Sequence, residues 1–186
     1  GAPLLNQLTG LHLRFPSQFG PNTSVQRWRD ATGRLFGVIA PRLERFGLYQ
    51  LPPFLIEEFS AAFWPRLRSL FIMHAHEDGL STYDFSRTPG LTALGVFTHP
   101  FSGGRNAHPL QVFEEGWPEA SLKVLMLGKV PVDELRPWLA YPERFSLDFL
   151  SANVTGGRLR TEELTTYPLT RGLKGLAGSF TKAFKI

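Results

Sequence analysis

The 186-residue chain contains no cysteine. Disulfides, thiolate metal sites and thiol nucleophiles are therefore excluded. No run of about 18 apolar residues occurs, so no membrane-spanning helix is expected. The familiar catalytic signatures are missing too: there is no G-x-S-x-G elbow, no H-E-x-x-H pair and no G-x-x-x-x-G-K loop. The opening "GAPLLNQLTG" carries no charged leader of the kind a signal peptide needs. It begins inside a hydrophobic pattern, which reads as a fragment or a processed product, with residues 1–186 expected to be one domain that is a fragment or the C-terminal part of a longer one. Acidic side chains are scarce at both ends. Residues 1–45 hold six arginines against Asp30 and Glu44, and residues 171–186 hold four basic groups and no acid. Residues 46–170 are net acidic. A nucleic-acid groove needs a continuous basic stripe, so two basic ends around an acidic middle argue against a nucleic-acid partner.

What is present is apolar and aromatic. Hydrophobic residues make up 42% of the chain and charged residues 19%, a globular balance, with 16 Phe and 4 Trp. These residues recur in a pattern. Six segments carry apolar side chains at positions 1, 4 and 6: "LTGLHL" (8–13), "LERFGL" (43–48), "LRSLFI" (67–72), "LTALGV" (91–96), "LKVLML" (122–127) and "PERFSL" (142–147), the last with Pro142 in the first slot. "LKGLAG" at 173 is a degenerate seventh, so residues 151–186 are expected to form a last imperfect repeat and a C-terminal cap. Proline stands two residues ahead of three of the frames (Pro41, Pro65, Pro89), as fits a turn entering a strand, because proline cannot donate to a ladder. Between the frames lie stretches with helical spacing, at 24–40, 53–64, 108–117 and 132–140.

Strand, turn, helix and turn thus recur, and the chain resembles the leucine-rich repeat superfamily, whose core is L-x-x-L-x-L. The irregular periods and the "FWPRLRSL" entry are most similar to the ribonuclease-inhibitor-like repeats of F-box proteins. The chain departs from the family at the asparagine or cysteine three places past the last leucine, where it has Pro16, Leu51, Ala75, His99, Val130 and Leu150. The resemblance implies an α/β solenoid with a curved parallel sheet on the concave side and helices on the convex side. It also implies a non-catalytic scaffold that binds another protein, in the F-box case as a ubiquitin-ligase adaptor that recruits substrates. An accessory structural subunit of a large mitochondrial or ribonucleoprotein assembly is the alternative. The expected compartment is intracellular, cytoplasmic or nuclear, with a mitochondrial place left open.

Side chains alternate across a strand, so positions 4 and 6 face the helices while 3, 5 and 7 face the open side. The open rows would then present Tyr49, Phe71, Met73, Phe97 and Met126, with His12, Arg14 and Arg45 at one end and Asp148 at the other. An apolar patch of this kind is normally covered by a partner.

"FIMHAHEDG" (71–79) is the one stretch that looks like chemistry, because His74 and His76 lead into Glu77 and Asp78. A catalytic zinc needs three converging ligands and an open position. His74, His76 and His99 are the weak candidates, and a metal-dependent hydrolase is the least favoured reading. The pairs Glu57-Glu58, Glu114-Glu115 and Glu162-Glu163 are expected on the solvated faces of helices. No enzyme, cofactor, metal or small-molecule substrate is expected.

Overall fold

The computed structural model describes residues 7–16, 24–52, 55–74, 85–98, 122–140 and 147–178. The strands are β1 (Gly10–Arg14), β2 (Arg45–Leu51), β3 (Ser69–His74), β4 (Ala93–Thr98), β5 (Val124–Pro131), β6 (Phe149–Thr155) and β7 (Gly175–Gly178). They join in one parallel sheet whose strand order is the chain order. Helices α1 (Val25–Ile39), α2 (Ile56–Ala61), α3 (Val132–Leu139) and α4 (Thr161–Leu164) lie in the connections, with short 3-10 turns at Phe85–Arg87 and Pro168–Thr170. The stretch 108–117 expected to be helical falls outside the described residues. No helix of the described residues is long and apolar enough to cross a membrane.

The repeat sets the register. The carbonyl at position 2 of each repeat accepts two N–H groups, from positions 2 and 3 of the next. Thr9 O accepts from Glu44 and Arg45 at 2.8 and 3.0 Å, Glu44 O from Arg68 and Ser69 at 2.8 and 3.0 Å, and Arg68 O from Thr92 and Ala93 at 2.9 Å each. Thr92 O, Lys123 O and Asp148 O continue the pattern across the remaining strands. All six junctions are made alike, so a strand that slipped by one residue would lose both bonds and turn its leucines to the wrong face.

Positions 4 and 6 form the covered face. Phe46, Leu48, Leu70, Ile72, Leu94, Val96, Leu125, Leu127, Leu150 and Ala152 are at most 2% exposed. The position-1 residues Leu43, Leu67, Leu91, Leu122 and Leu147 are fully buried beside them, and Pro41, Pro65 and Pro89 sit exposed in the turns before. Helix α1 is started by Ser24, whose hydroxyl accepts from Arg27 N at 3.3 Å. Its buried stripe of Thr32, Phe36 and Ile39 reaches the sheet, where Phe36 meets Phe46 edge-on at 5.7 Å. Trp64 stacks on Phe59 at 5.0 Å and lies 5.1 Å from Phe46, and its indole N–H donates to Phe59 O at 3.0 Å. That bond satisfies the one polar atom the indole takes into the core.

One sequence expectation is corrected here. The sixth strand is not "PERFSL" but β6, and the frame that fits is "LDFLSA" (147–152), with Leu147 and Leu150 fully buried and Ala152 closing the frame. Both frames contain Leu147; the true one needs no proline in a leucine slot and accepts a small residue at position 6 instead. In the tail, the degenerate seventh frame at 173 contributes β7, where Leu176 pairs with Leu150. "LKGLAG" holds the repeat frame there, and residues 179–186 lie outside the described ones.

The covered face predicts where truncation is costly. Leu94→Ala removes a fully buried side chain between neighbouring strands and should lower stability by about 2–5 kcal/mol. Phe63→Ala, at a side chain 55% exposed, should change it by no more than about 0.5 kcal/mol. Urea unfolding of the two variants checks the contrast; equal losses would contradict this assignment of the core.

Candidate functional site: the open face of the sheet

Strand alternation places positions 3, 5 and 7 on the face opposite the buried one. Row 5 runs His12, Gly47, Phe71, Gly95, Met126, Ser151 and Ala177 in register. Row 7 runs Arg14, Tyr49, Met73 and Phe97. Tyr49, Phe71, Met73, Phe97 and Met126 are half-buried, and His12, Arg14 and Arg45 are exposed. The structure therefore brings together all five apolar side chains expected on this face, with the basic group beside them. Both methionines of the chain are among them.

The rings touch one another in sequence. His12 lies 5.7 Å from Tyr49, Tyr49 5.3 Å from Phe71, and Phe71 4.8 Å from Phe97, with the last pair stacked at 25°. This path zigzags between rows 5 and 7, and glycine makes the zigzag fit. A Cβ on Gly95 would come within 2.9 Å of Phe71 Cδ2 and 3.2 Å of Phe97 Cε2, and one on Gly47 within 2.9 Å of His12 Cε1. Each ring on an odd strand thus leans over a row-5 glycine of the next strand and reaches the aromatic two residues further on. G-x-aromatic, as in Gly47-Leu48-Tyr49 and Gly95-Val96-Phe97, is the local sequence mark of this stack. The same device recurs further along, where Phe149 covers Gly175, whose Cβ would lie 2.7 Å from the ring.

The charges on this face have one sign. Among the described strand residues of rows 3, 5 and 7 there is no Asp or Glu, while Arg14, Arg45 and Lys129 are exposed. Arg14 donates to Gln50 Oε1 at 3.2 Å. Gln50 is buried at the bulge of β2, where its φ of 56° lets the strand shift register between Tyr49 and Leu51. Lys129 was not foreseen because Gly128 is bulged: β5 skips a residue, and Lys129 rather than Gly128 pairs with Asn153. Asp148, expected at the acidic end of the rim, is corrected. It precedes β6, its carbonyl serves the ladder, and its carboxylate pairs with Lys174 at 3.3 Å. Row positions in that strand belong to Phe149, Ser151 and Asn153.

The histidine stretch is only partly described. His74 is the last residue of β3, paired with Thr98, and His76 and His99 lie outside the described residues. Among those described, no group of three His, Asp or Glu side chains converges as metal ligands would.

Away from the open face, one network shifts the titration of its members. Arg136 Nε donates to Glu163 Oε1 at 2.7 Å, Tyr167 Oη donates to the same oxygen at 2.9 Å, and Arg136 also reaches Arg158 O at 3.1 Å. The bond from Arg136 holds the Glu163 carboxyl below its ordinary value of 4.5, and burial raises the Tyr167 phenol. Both bonds from Arg136 of α3 reach the α4 region, so the network ties α3 to α4. Likewise Arg29 of α1 pairs with both Glu57 and Glu58 of α2. Glu58 and Glu163 are therefore cross-links between helices and not simply solvated, as the sequence suggested.

No family model, curated protein or solved structure matches this chain.

Because the folded pKa of Glu163 lies below its unfolded value, the ion pair stabilises fully above about 4.5 and its contribution is lost as pH falls through the folded value. Glu163→Gln should therefore lower stability at neutral pH and make the acid limb of the stability–pH curve shallower. Thermal melts between neutral and strongly acid pH check this; an unchanged acid limb would remove Glu163 as a contributor.

Proposed function

We propose that this chain is a leucine-rich-repeat type solenoid whose open, concave face recognises another protein without catalysis. The observation that supports it best is the aromatic stack His12–Tyr49–Phe71–Phe97. It lies on a face that no described helix covers, and it is flanked by Met73 and Met126. Half-buried aromatics and methionines are the side chains enriched at the centres of protein interfaces. Glycines under the rings keep them low and mutually supported, which lowers the entropy lost when a partner orders them. Exposed basic groups at the edge form the polar rim such interfaces have. The buried face is already complete with its leucines, so the apolar residues opposite are not needed for the core.

The test is a double substitution, Phe71→Ser and Phe97→Ser, in the full chain. Partners covalently captured by the unaltered chain in cells should be lost, with cooperative melting retained, because neither side chain belongs to the covered face. Capture at the unaltered level would contradict the proposal.

A further inference from the structure

Resting on that reading of the open face, we infer that its occupant is an extended protein segment that is acidic at both ends and apolar in its middle. Three observations meet here. The exposed charges of the rows are Arg14 and Arg45 on β1–β2 and Lys129 on β5, with no acid among the described row residues. Between them stand Phe71, Met73, Phe97 and Met126 on β3–β5, which offer an apolar middle. From β1 to β5 is four strand spacings, or about 19 Å, the length of about six extended residues. A segment crossing the strands would set carboxylates against the cations at each end and two or three apolar side chains against the centre.

The ring geometry selects protein over single-stranded nucleic acid, which would also welcome cations and aromatics. Bases stack on free ring faces. Here Phe71 and Phe97 are stacked on each other at 4.8 Å, and Tyr49 and His12 follow in tilted contacts at 5.3 and 5.7 Å, so ring surface is already taken within the row. Where Phe71 and Phe97 stack, they leave ring edges for a partner. Edges carry the positive part of the aromatic quadrupole and meet aliphatic groups, partner ring faces and carboxylate oxygens favourably. Arg45 lies two residues from Gly47 on the same face as His12, so the β1–β2 end concentrates positive charge where one end of the segment would lie. Opposite charges there would also speed encounter and reject basic competitors.

A library of random peptides displayed on phage, panned against the full chain, tests this directly. Retained sequences are made as free peptides and measured by fluorescence anisotropy, with an oligothymidylate as the rival probe. Retained peptides should carry Asp or Glu on both sides of Leu, Phe, Trp or Met. They should weaken by about tenfold or more with Arg45→Glu, with Lys129→Glu and at high salt. Phe71→Ser should weaken them to a similar extent, with the helical signal unchanged in every variant. Peptides that depend on Phe71 but are neutral or basic would overturn the acidic occupant and leave the open-face reading standing. Oligothymidylate bound more tightly than any peptide, in a Phe71-dependent way, would overturn it in favour of nucleic acid. No retained peptide, or none sensitive to Phe71→Ser, would overturn the open-face reading itself, including the case in which another segment of this chain covers the rows.

Discussion

A backbone carbonyl that accepts two N–H groups from the following repeat is the constraint on which the rest of this structure depends. It recurs at Thr9, Glu44, Arg68, Thr92, Lys123 and Asp148, with donor distances between 2.8 and 3.1 Å. Because it involves only the main chain, the side chain at position 2 is free to vary, and it does so from Thr to Glu to Arg. The bond pair fixes where each strand begins, and hence which residues alternate inward. With the start fixed, connections of different lengths are tolerated, since extra residues cost loop entropy that grows only slowly with length.

Fixed register serves both faces. On the covered side it lines up Leu70, Leu94 and Leu125 beneath the helices. On the open side it sets Gly95 beside Phe71 and Gly47 beside His12, so that rings lean across strands and meet Phe97 and Tyr49. A displacement of one residue in β4 would put Val96 beneath Phe71 and remove the stack. The apolar surface is therefore a consequence of register, as the core is, and each such ring pair contributes about 0.5–1.5 kcal/mol beyond the area it covers.

The leucine frame was legible because period-2 alternation inside a repeated unit is a strong signal. It located β1 to β5 and β7, and with them Tyr49, Phe71, Met73, Phe97 and Met126. The sixth frame was misplaced because Leu147 belongs to two overlapping patterns, and Ala152 is a weak third anchor where leucine was sought. Asp148 was misassigned by the same five-residue slip. Lys129 was missed because nothing local to Gly128 announces a bulge; only pairing with β6 reveals it. The diagonal contacts of the rings were also illegible. Distance along the chain does not say which way a ring leans. Glu58 and Glu163 read as solvated because their partners, Arg29 and Arg136, belong to the preceding helix.

The chain's only two methionines, Met73 and Met126, both stand on the open face, which gives that face its own spectroscopic probe. Protein labelled with carbon-13 at the methionine methyl groups shows two resonances, recorded free and saturated with a bound partner or selected peptide. If the open face is the contact surface, both resonances shift on binding, and both methionines become protected from peroxide oxidation. Binding that leaves both resonances and both oxidation rates unchanged would contradict the account.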